Sequence, residues 1–286
     1  MKSSILFFFV AFSSITQAQV TLQVSDQESK ENIEFASILL PDYQKSFVAD
    51  EKGKFVVDTE QYKLPLKVIA EQFGFQQKEI TLQNTTKIYN ISLTPSSEIL
   101  REIIIPPANA KIKERTFGIT NESTGKFKGE DSTHNYNQNS MDTDYEFGMI
   151  INTKEKFIKV KKVHWHINGF TYKRAFFSVY FYEVANGKPT KRIPHENINF
   201  ILTNKNIGWN KINVENLDIY ISSHKKIAVV LKQQKVEFEK GKSEGAFFQN
   251  IGLTMGNTFV TRTSYYNEWL TLPASFPFYI TVDSYE

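Results

Sequence analysis

Two histidines flank a tryptophan in the stretch "VKKVHWHINGF" around Trp165, and a His-x-His pair is half of many metal sites. In a β-strand, alternate side chains point to opposite faces. Val163, Trp165 and Ile167 would therefore share one apolar, buried face of a strand. His164 and His166 would point outward on the other face, beside a lysine that opposes a bound cation. This arrangement favours an ordinary strand over a metal site.

Two metal-binding patterns were compared with the chain, and neither is complete. A cupin-type jelly roll needs a glycine where Ile158 stands and an acid where Phe170 or Thr171 stands. The stretch "HENIN" begins like a zincin helix at His195, but Asn199 occupies the position of the second histidine. The sequence therefore predicts neither a metal ion nor a cofactor.

Acidic residues allow one further chemistry, because a glycosidase needs only two carboxylates that the fold brings together. No local spacing reveals such a pair, and most acids on a strand-rich protein are solvated. The nominal candidates are Glu183, Glu196, Glu237 and Glu268. No nucleophile motif supports them, so we expect no catalytic residue and no enzymatic activity.

Two tryptophans are candidates for ligand binding. Trp209 in "NIGWNKI" and Trp269 in "YYNEWLTLP" lie in loop-like or strand-end settings. A flat ring there could stack on a sugar or anchor a protein partner. The alternative, which large aromatic residues more often adopt, is that each ring closes one end of a hydrophobic core.

The elements that must position these residues are strands. Aromatic residues make up 14% of the chain, with 24 Phe and 13 Tyr, and such residues favour pleated surfaces. Residues 19–105 contain seven or eight short apolar runs separated by turn signals, which predicts a small antiparallel β-sandwich. About nine longer runs in residues 146–286, with a hairpin signal at Asn186-Gly187, predict a larger, jelly-roll-like sandwich. The polar residues 106–145 between them are a linker or an irregular lead-in to the second domain.

Residues 19–105 contain an ordered set of features: Val24, Asp26, Phe35-Ala36-Ser37-Ile38, the turn Asp50-Glu51-Lys52-Gly53-Lys54-Phe55, Gly74-Phe75, Leu82 and Leu93. Through these features the segment resembles the carboxypeptidase regulatory-like domain, a small sandwich found in exported proteins of Bacteroidota. One position departs, because Leu22 stands where the family has a glycine. The resemblance implies an accessory domain without peptidase chemistry. The second domain resembles an uncharacterised sandwich that often follows this one, through "EFGMII", "FFSVYFYEVANGKP", "GWNKINVE" and "KIAVVL".

The first 18 residues have the features of an export signal: Lys2, an apolar run from Ile5 to Phe12, and a small residue at Ala18, after which we expect cleavage. No later run approaches the ~20 apolar residues of a transmembrane helix. The chain contains no cysteine, which excludes disulfides, a cysteine-ligated zinc and a lipid anchor on cysteine. The net charge is only +3, and the chain lacks the clustered basic stripe of a nucleic-acid-binding protein.

The sequence thus predicts an exported, non-enzymatic binding or interaction module of the bacterial cell envelope, with an envelope protein or a glycan as partner. Its location is periplasmic, outer-membrane-associated or secreted. The alternative is a carbohydrate-active protein, either glycan-binding or a cryptic glycoside hydrolase, that uses the second sandwich. A structural subunit of an envelope complex is a third class. We expect the two sandwiches to fold separately, because the stretch between them offers few apolar contacts.

Overall fold

The computed structural model describes residues 19–84, 88–96, 109–122, 129–130, 145–154, 157–222, 226–242, 245–253 and 256–286. Two predicted features lie outside this part of the chain: the export signal and "EIIIP" (102–106), which is the last of the apolar runs that predict strands in the first domain. Strands and short 3-10 turns make up the described secondary structure, so the all-β prediction is confirmed. The turns are Pro41–Tyr43, Asn204–Asn206 and Glu215–Leu217.

The first sandwich consists of two sheets, in the strand orders β4-β1-β7 and β3-β2-β5-β6. The strands are β1 (Gln19–Asp26), β2 (Ser37–Leu40), β3 (Lys45–Val48), β4 (Lys54–Asp58), β5 (Leu66–Glu71), β6 (Lys78–Leu82) and β7 (Ile88–Leu93). Val20, Leu22 and Val24 alternate along β1 and are fully buried in the core between the sheets. Each of these strands matches a predicted apolar run.

One pairing in this sandwich differs from the antiparallel prediction. β1 and β7 run parallel, with Leu22 opposite Tyr89 and Val24 opposite Ile91. Parallel neighbours need a long connection, and the whole domain lies between these two strands. The side chains of Ile91 and Leu93 still alternate into the core, so the apolar pattern is satisfied by either strand direction.

The predicted turn at Asp50 to Lys54 forms as expected. The carboxylate Oδ1 of Asp50 accepts the backbone N–H groups of Lys52 at 2.9 Å and Lys54 at 2.8 Å. Gly53 has φ +68°, and a Cβ there would lie 2.6 Å from the Val24 carbonyl oxygen. Only glycine fits both the conformation and the space.

The second sandwich has two large sheets, which we call the back sheet and the front sheet. The back sheet has the order β14-β13-β18-β10-β21-β22, with β15 also paired to β13, and the front sheet has the order β16-β11-β24-β8, with β17 also paired to β11. The strands are β8 (Ile112–Gly118), β9 (Gly129–Glu130), β10 (Glu146–Asn152), β11 (Phe157–Ile167), β12 (Gly169–Phe170), β13 (Arg174–Ala185), β14 (Lys188–Arg192), β15 (Asn199–Leu202), β16 (Gly208–Asn213), β17 (Ile219–Ser222), β18 (Lys226–Glu237), β19 (Phe247–Phe248), β20 (Asn250–Leu253), β21 (Thr258–Arg262), β22 (Leu270–Leu272), β23 (Ala274–Ser275) and β24 (Phe278–Tyr285). Two small sheets, β12-β19 and β23-β20-β9, complete this domain.

The core of the second sandwich lies between the back and front sheets. Val163, Trp165 and Ile167 of β11 are fully buried in it, as the alternation predicts. Asn186 and Gly187 join β13 to β14 with φ of +52° and +75°, the paired positive angles of a tight hairpin turn. The prediction of a second β-sandwich is confirmed, and its jelly-roll likeness stays a prediction.

Part of the polar stretch at 106–145 belongs to the second sandwich. β8 pairs antiparallel with β24 along its whole length, from Gly118 opposite Tyr279 to Ile112 opposite Tyr285. Most of its side chains are exposed, since it has only one strand neighbour in the front sheet. The described residues 109–118 are therefore a lead-in that is built into the sheet.

The two sandwiches contact each other through the outer faces of two sheets. The buried Lys232 of β18 donates its ammonium to Ser37 Oγ of β2 at 3.0 Å. Ser46 Oγ lies 2.9 Å from Ser264 Oγ, and the Phe35 ring lies 5.7 Å from the Phe176 ring. The four-stranded sheet of the first sandwich thus faces the back sheet. In the described residues no helix reaches the length and hydropathy of a membrane span.

Candidate functional site

The outer face of the front sheet carries a group of aromatic and imidazole rings, which we call the ring cluster: His164, His166, Trp209 and Tyr279. Strand register brings them together. His166 of β11 lies opposite Trp209 of β16, and His164 lies opposite Tyr279 of β24. The four side chains come from three adjacent strands and project from the same face, so they form one cluster.

The rings of the cluster contact one another closely. His164 and Tyr279 are stacked with centroids 4.0 Å apart and planes 9° apart. Trp209 meets Tyr279 edge-on at 5.0 Å and His166 edge-on at 5.2 Å. His164 Nε2 also lies 3.1 Å from Thr281 Oγ1. Trp209, Tyr279 and His164 remain partly exposed, so the cluster is a fixed aromatic surface that solvent can reach.

His166 differs from the prediction. It points to the outer face, as expected, but only 7% of it is exposed. Trp209 from the neighbouring strand covers its ring, and the carboxylate of Glu122 lies 3.8 Å from its Nε2. Within the described residues its Nδ1 has no hydrogen-bond partner. The prediction that this histidine is exposed is therefore wrong, because cross-strand neighbours bury it.

His164 is held in its neutral form. Partial burial, together with the positive charges of Lys162 and Lys211, lowers its pKa from 6.5 to about 4. At neutral pH its ring is an uncharged, polar aromatic surface. Cation binding at His164 would have to overcome the same two lysines.

A buried asparagine holds Trp209 in place. Asn210 Nδ2 donates to the carbonyl oxygens of Asn206 at 2.7 Å and Gly208 at 3.1 Å. The Asn206 side chain accepts the N–H of Thr203 at 2.8 Å and so closes the 3-10 turn that precedes β16. These bonds fix the start of β16, and the next side chain on the outer face is Trp209.

Trp269, the second predicted candidate, lies on the outer face of the back sheet and not in the ring cluster. Its ring meets Tyr182 edge-on at 5.5 Å, and the guanidinium of Arg262 lies 4.6 Å above it. Arg262 also donates to the buried carboxylate of Glu146 at 2.8 Å. Trp269 therefore packs over a buried charge network on the outer face of the back sheet, not at an end of the core between the sheets.

The structure does not bring the four candidate acids into one site. Glu183 and Glu237 lie at opposite ends of the β13–β18 pair, opposite Ile227 and Arg174, which is roughly 30 Å at the usual rise of a strand. Glu237 forms a bidentate ion pair with Arg174, with both bonds 2.7 Å long. Glu196 is exposed, and Glu268 is exposed and pairs with Lys188 at 3.1 Å.

The histidine of "HENIN" is likewise separate from the ring cluster. His195 is buried, and its Nδ1 donates to the carbonyl of Glu196 at 2.6 Å. Phe73 of the first sandwich lies 5.6 Å from its ring. In the described part of the chain no three His, Asp or Glu side chains are grouped as metal ligands.

The sequence analysis named Trp209 as a binding candidate, considered the two histidines of the cluster only as metal ligands, and missed Tyr279. A signal was present, because alternation in "FPFYITV" puts Phe278 and Ile280 in the core and Tyr279 and Thr281 outside. The sequence did not indicate that β24 lies next to β11. This pairing brings Tyr279 into contact with His164 and Trp209.

No curated protein matches the chain. Among solved structures, similar chains include the cysteine protease and lectin-like domains of a surface-layer-associated protein of Clostridium difficile, with 12% identity and a TM-score of 0.36 over 50% of this chain. This chain spans only 32% of the length of that one. At these values the likeness carries no argument about fold or function.

Two further similar structures come from Bacteroides. A candidate carbohydrate-binding protein of Bacteroides uniformis has 8% identity and a TM-score of 0.22, over 91% of this chain and 98% of that one. A DUF3823 family protein of Bacteroides ovatus has 11% identity and a TM-score of 0.20, over 81% and 96%. These likenesses carry no argument either. One family is matched by its own model, and it covers the first sandwich: residues 21–105 match the CarboxypepD_reg-like domain.

Proposed function

We propose that this chain is a non-enzymatic binding module of the bacterial cell envelope and that its second sandwich binds a glycan at the ring cluster. The observation that carries the proposal is the partly exposed pair of Trp209 and Tyr279, 5.0 Å apart on an open sheet face. Sugar rings present C–H groups on their faces, and aromatic rings pack against such groups. Fixed rings also lose little entropy when a ligand binds.

The surroundings of the cluster support a ligand with many hydroxyl groups. Neutral His164 and the carboxylate of Glu122 lie beside the rings and offer hydrogen-bond partners. Of the candidate acids for a hydrolase, Glu183 and Glu237 lie far apart, and Glu237 and Glu268 form ion pairs with basic residues. The predicted export signal and the match of the first sandwich to the CarboxypepD_reg-like domain support an envelope location.

Binding of the full chain without its signal to an array of neutral and acidic glycans tests the proposal, followed by calorimetric titration of each glycan that binds. Trp209→Ala should weaken binding at least about tenfold, or ~1.4 kcal/mol, because it removes the exposed ring of the cluster. Trp209→Phe should retain part of the affinity.

Trp269→Ala is the matched control, since Trp269 is also partly buried but lies on the back sheet. Its affinity should equal that of the wild type. Circular dichroism should show that each variant is folded. Absence of binding to every glycan, or equal losses in Trp209→Ala and Trp269→Ala, would contradict the proposal.

A further inference from the structure

Two lysines share the outer face of the front sheet with the ring cluster. Lys211 lies opposite His164 and two residues after Trp209 on β16. Lys162 lies two residues before His164 on β11. Residues two apart in a strand point to the same face, so both lysine side chains project from the face that carries the rings.

Other lysines on the front sheet are neutralised by acids. Lys159 pairs with Asp218 at 2.6 Å. Lys161 has Glu114 at 3.1 Å, Glu215 at 3.4 Å and Asp283 at 3.5 Å. The positive charge at this end of the sheet is therefore compensated within the protein.

Lys211 and Lys162 have no such compensation. Within the described ranges, neither forms an ion pair with a carboxylate, and Lys211 is exposed. The charge of Lys162 does reach Glu114 and contributes to the lowered pKa of that carboxylate, although Lys161 is the larger cause. Glu122 places a carboxylate 3.8 Å from Nε2 of His166.

The positive charges of the two lysines act on a residue of the ring cluster. Both contribute, after burial, to lowering the pKa of His164. A positive potential that reaches the ring faces favours a negative group on whatever binds there.

We infer that the glycan bound at the ring cluster is acidic, with a sugar ring on Trp209 and Tyr279 and its carboxylate or sulfate held by Lys211 and Lys162. The inference rests on the proposed function and names the ligand class. Lysine suits this role, because its flexible stem lets the ammonium follow an anionic group whose position varies along a chain.

Matched pairs of glycans test the inference. Short oligogalacturonates are compared with their methyl esters, and short dextran sulfates with unsulfated dextrans, on the full chain at about 0.15 M salt, where screening suppresses unspecific attraction. The acidic member of at least one pair should bind at least about tenfold more tightly than its neutral partner.

Three variants assign the effect to residues. Lys211→Gln should weaken binding of the acidic member about tenfold and leave the neutral member unchanged, whereas Trp209→Ala should weaken both. Lys191→Gln is the charge-matched control, because Lys191 is exposed on β14 of the back sheet, and it should not change either affinity.

The outcomes separate the two proposals. Equal affinity for the acidic and neutral members, without an effect of Lys211→Gln, overturns the acidic ligand but leaves the glycan-binding module intact. Equal losses in Lys211→Gln and Lys191→Gln also overturn the inference, since only net charge would then matter. Absence of binding to every member of every pair overturns both proposals.

Discussion

Trp165 and its neighbours show that the two faces of β11 have different environments, one in the core and one on the outside. The Trp165 ring is fully buried and meets Phe177 and Phe247 edge-on at 5.2 and 5.5 Å. Its indole N–H donates to the buried Gln249 Oε1 at 3.0 Å. Trp165→Ala should therefore cost about 3–5 kcal/mol of unfolding free energy, because it opens a cavity and leaves the Gln249 acceptor without its donor. Urea unfolding measures this loss.

His164→Ala is the control for this change, since His164 neighbours Trp165 but lies on the outer face. It removes a stacked, partly exposed ring and should cost about 1 kcal/mol or less. His166→Ala should fall between the two, because His166 is buried under Trp209. Equal costs for His164→Ala and Trp165→Ala would show that burial does not separate the two faces as described.

At the residue scale, the direction of each side chain could be predicted, but the exposure of the outward-pointing ones could not. Alternation along β11 correctly assigns Trp165 to the core and His166 to the outer face. Whether an outward residue is exposed depends on the adjacent strands, which are distant in sequence. His166 is covered by Trp209, 43 positions later in the chain, and no local pattern contains this information.

At the scale of elements, strands with an apolar face were predictable and polar edge strands were not. β4 coincides with its predicted run Lys54–Asp58, since Phe55 and Val57 alternate with polar residues. β8 was missed because only Phe117 packs against the core and the other side chains of the strand are polar or exposed. β16 was missed as well, since one of its inward positions is filled by the buried Asn210 and only Ile212 adds an apolar side chain to the core.

The turn at Gly53 provides a test at this scale. A Cβ on Gly53 would lie 2.6 Å from the Val24 carbonyl oxygen and 2.8 Å from that of Ile33. Because both neighbours are backbone atoms of the sandwich, Gly53→Ala should cost about 3 kcal/mol, which is the clash in addition to the strain of positive φ. Urea unfolding followed by circular dichroism gives the value.

Gly74→Ala is the matched control in the same sandwich. Gly74 has φ +99°, but a Cβ there would have no atom within 4 Å. The cost should be limited to backbone strain, about 1–2 kcal/mol. Gly53→Ala as mild as Gly74→Ala would mean that the turn relaxes and that the close approach to Val24 is not a constraint.

At the scale of the molecule, the candidate site depends on how distant segments assemble. Trp209 was a candidate from the sequence, but the cluster also needs Tyr279 from β24 and the histidines from β11. The contact between the two sandwiches also depends on segments that are distant in sequence. Their separate folding was expected from the polar stretch between them, whereas the contacts that join them lie on sheet faces far from that stretch.

The contact at Ser37 tests whether the sandwiches unfold together. Ser37 is 6% exposed and points away from its own core toward the buried ammonium of Lys232. With these contacts intact, we expect one cooperative transition in differential scanning calorimetry. Ser37→Lys would place a second ammonium against Lys232 in a buried site, which is strongly unfavourable, so the sheets should separate and two transitions should appear. Ser25→Lys is the control, because Ser25 contacts Ser92 at 3.4 Å within the first sandwich, and it should keep a single transition. Two transitions in the wild type would instead support the expectation from the sequence that each sandwich folds separately.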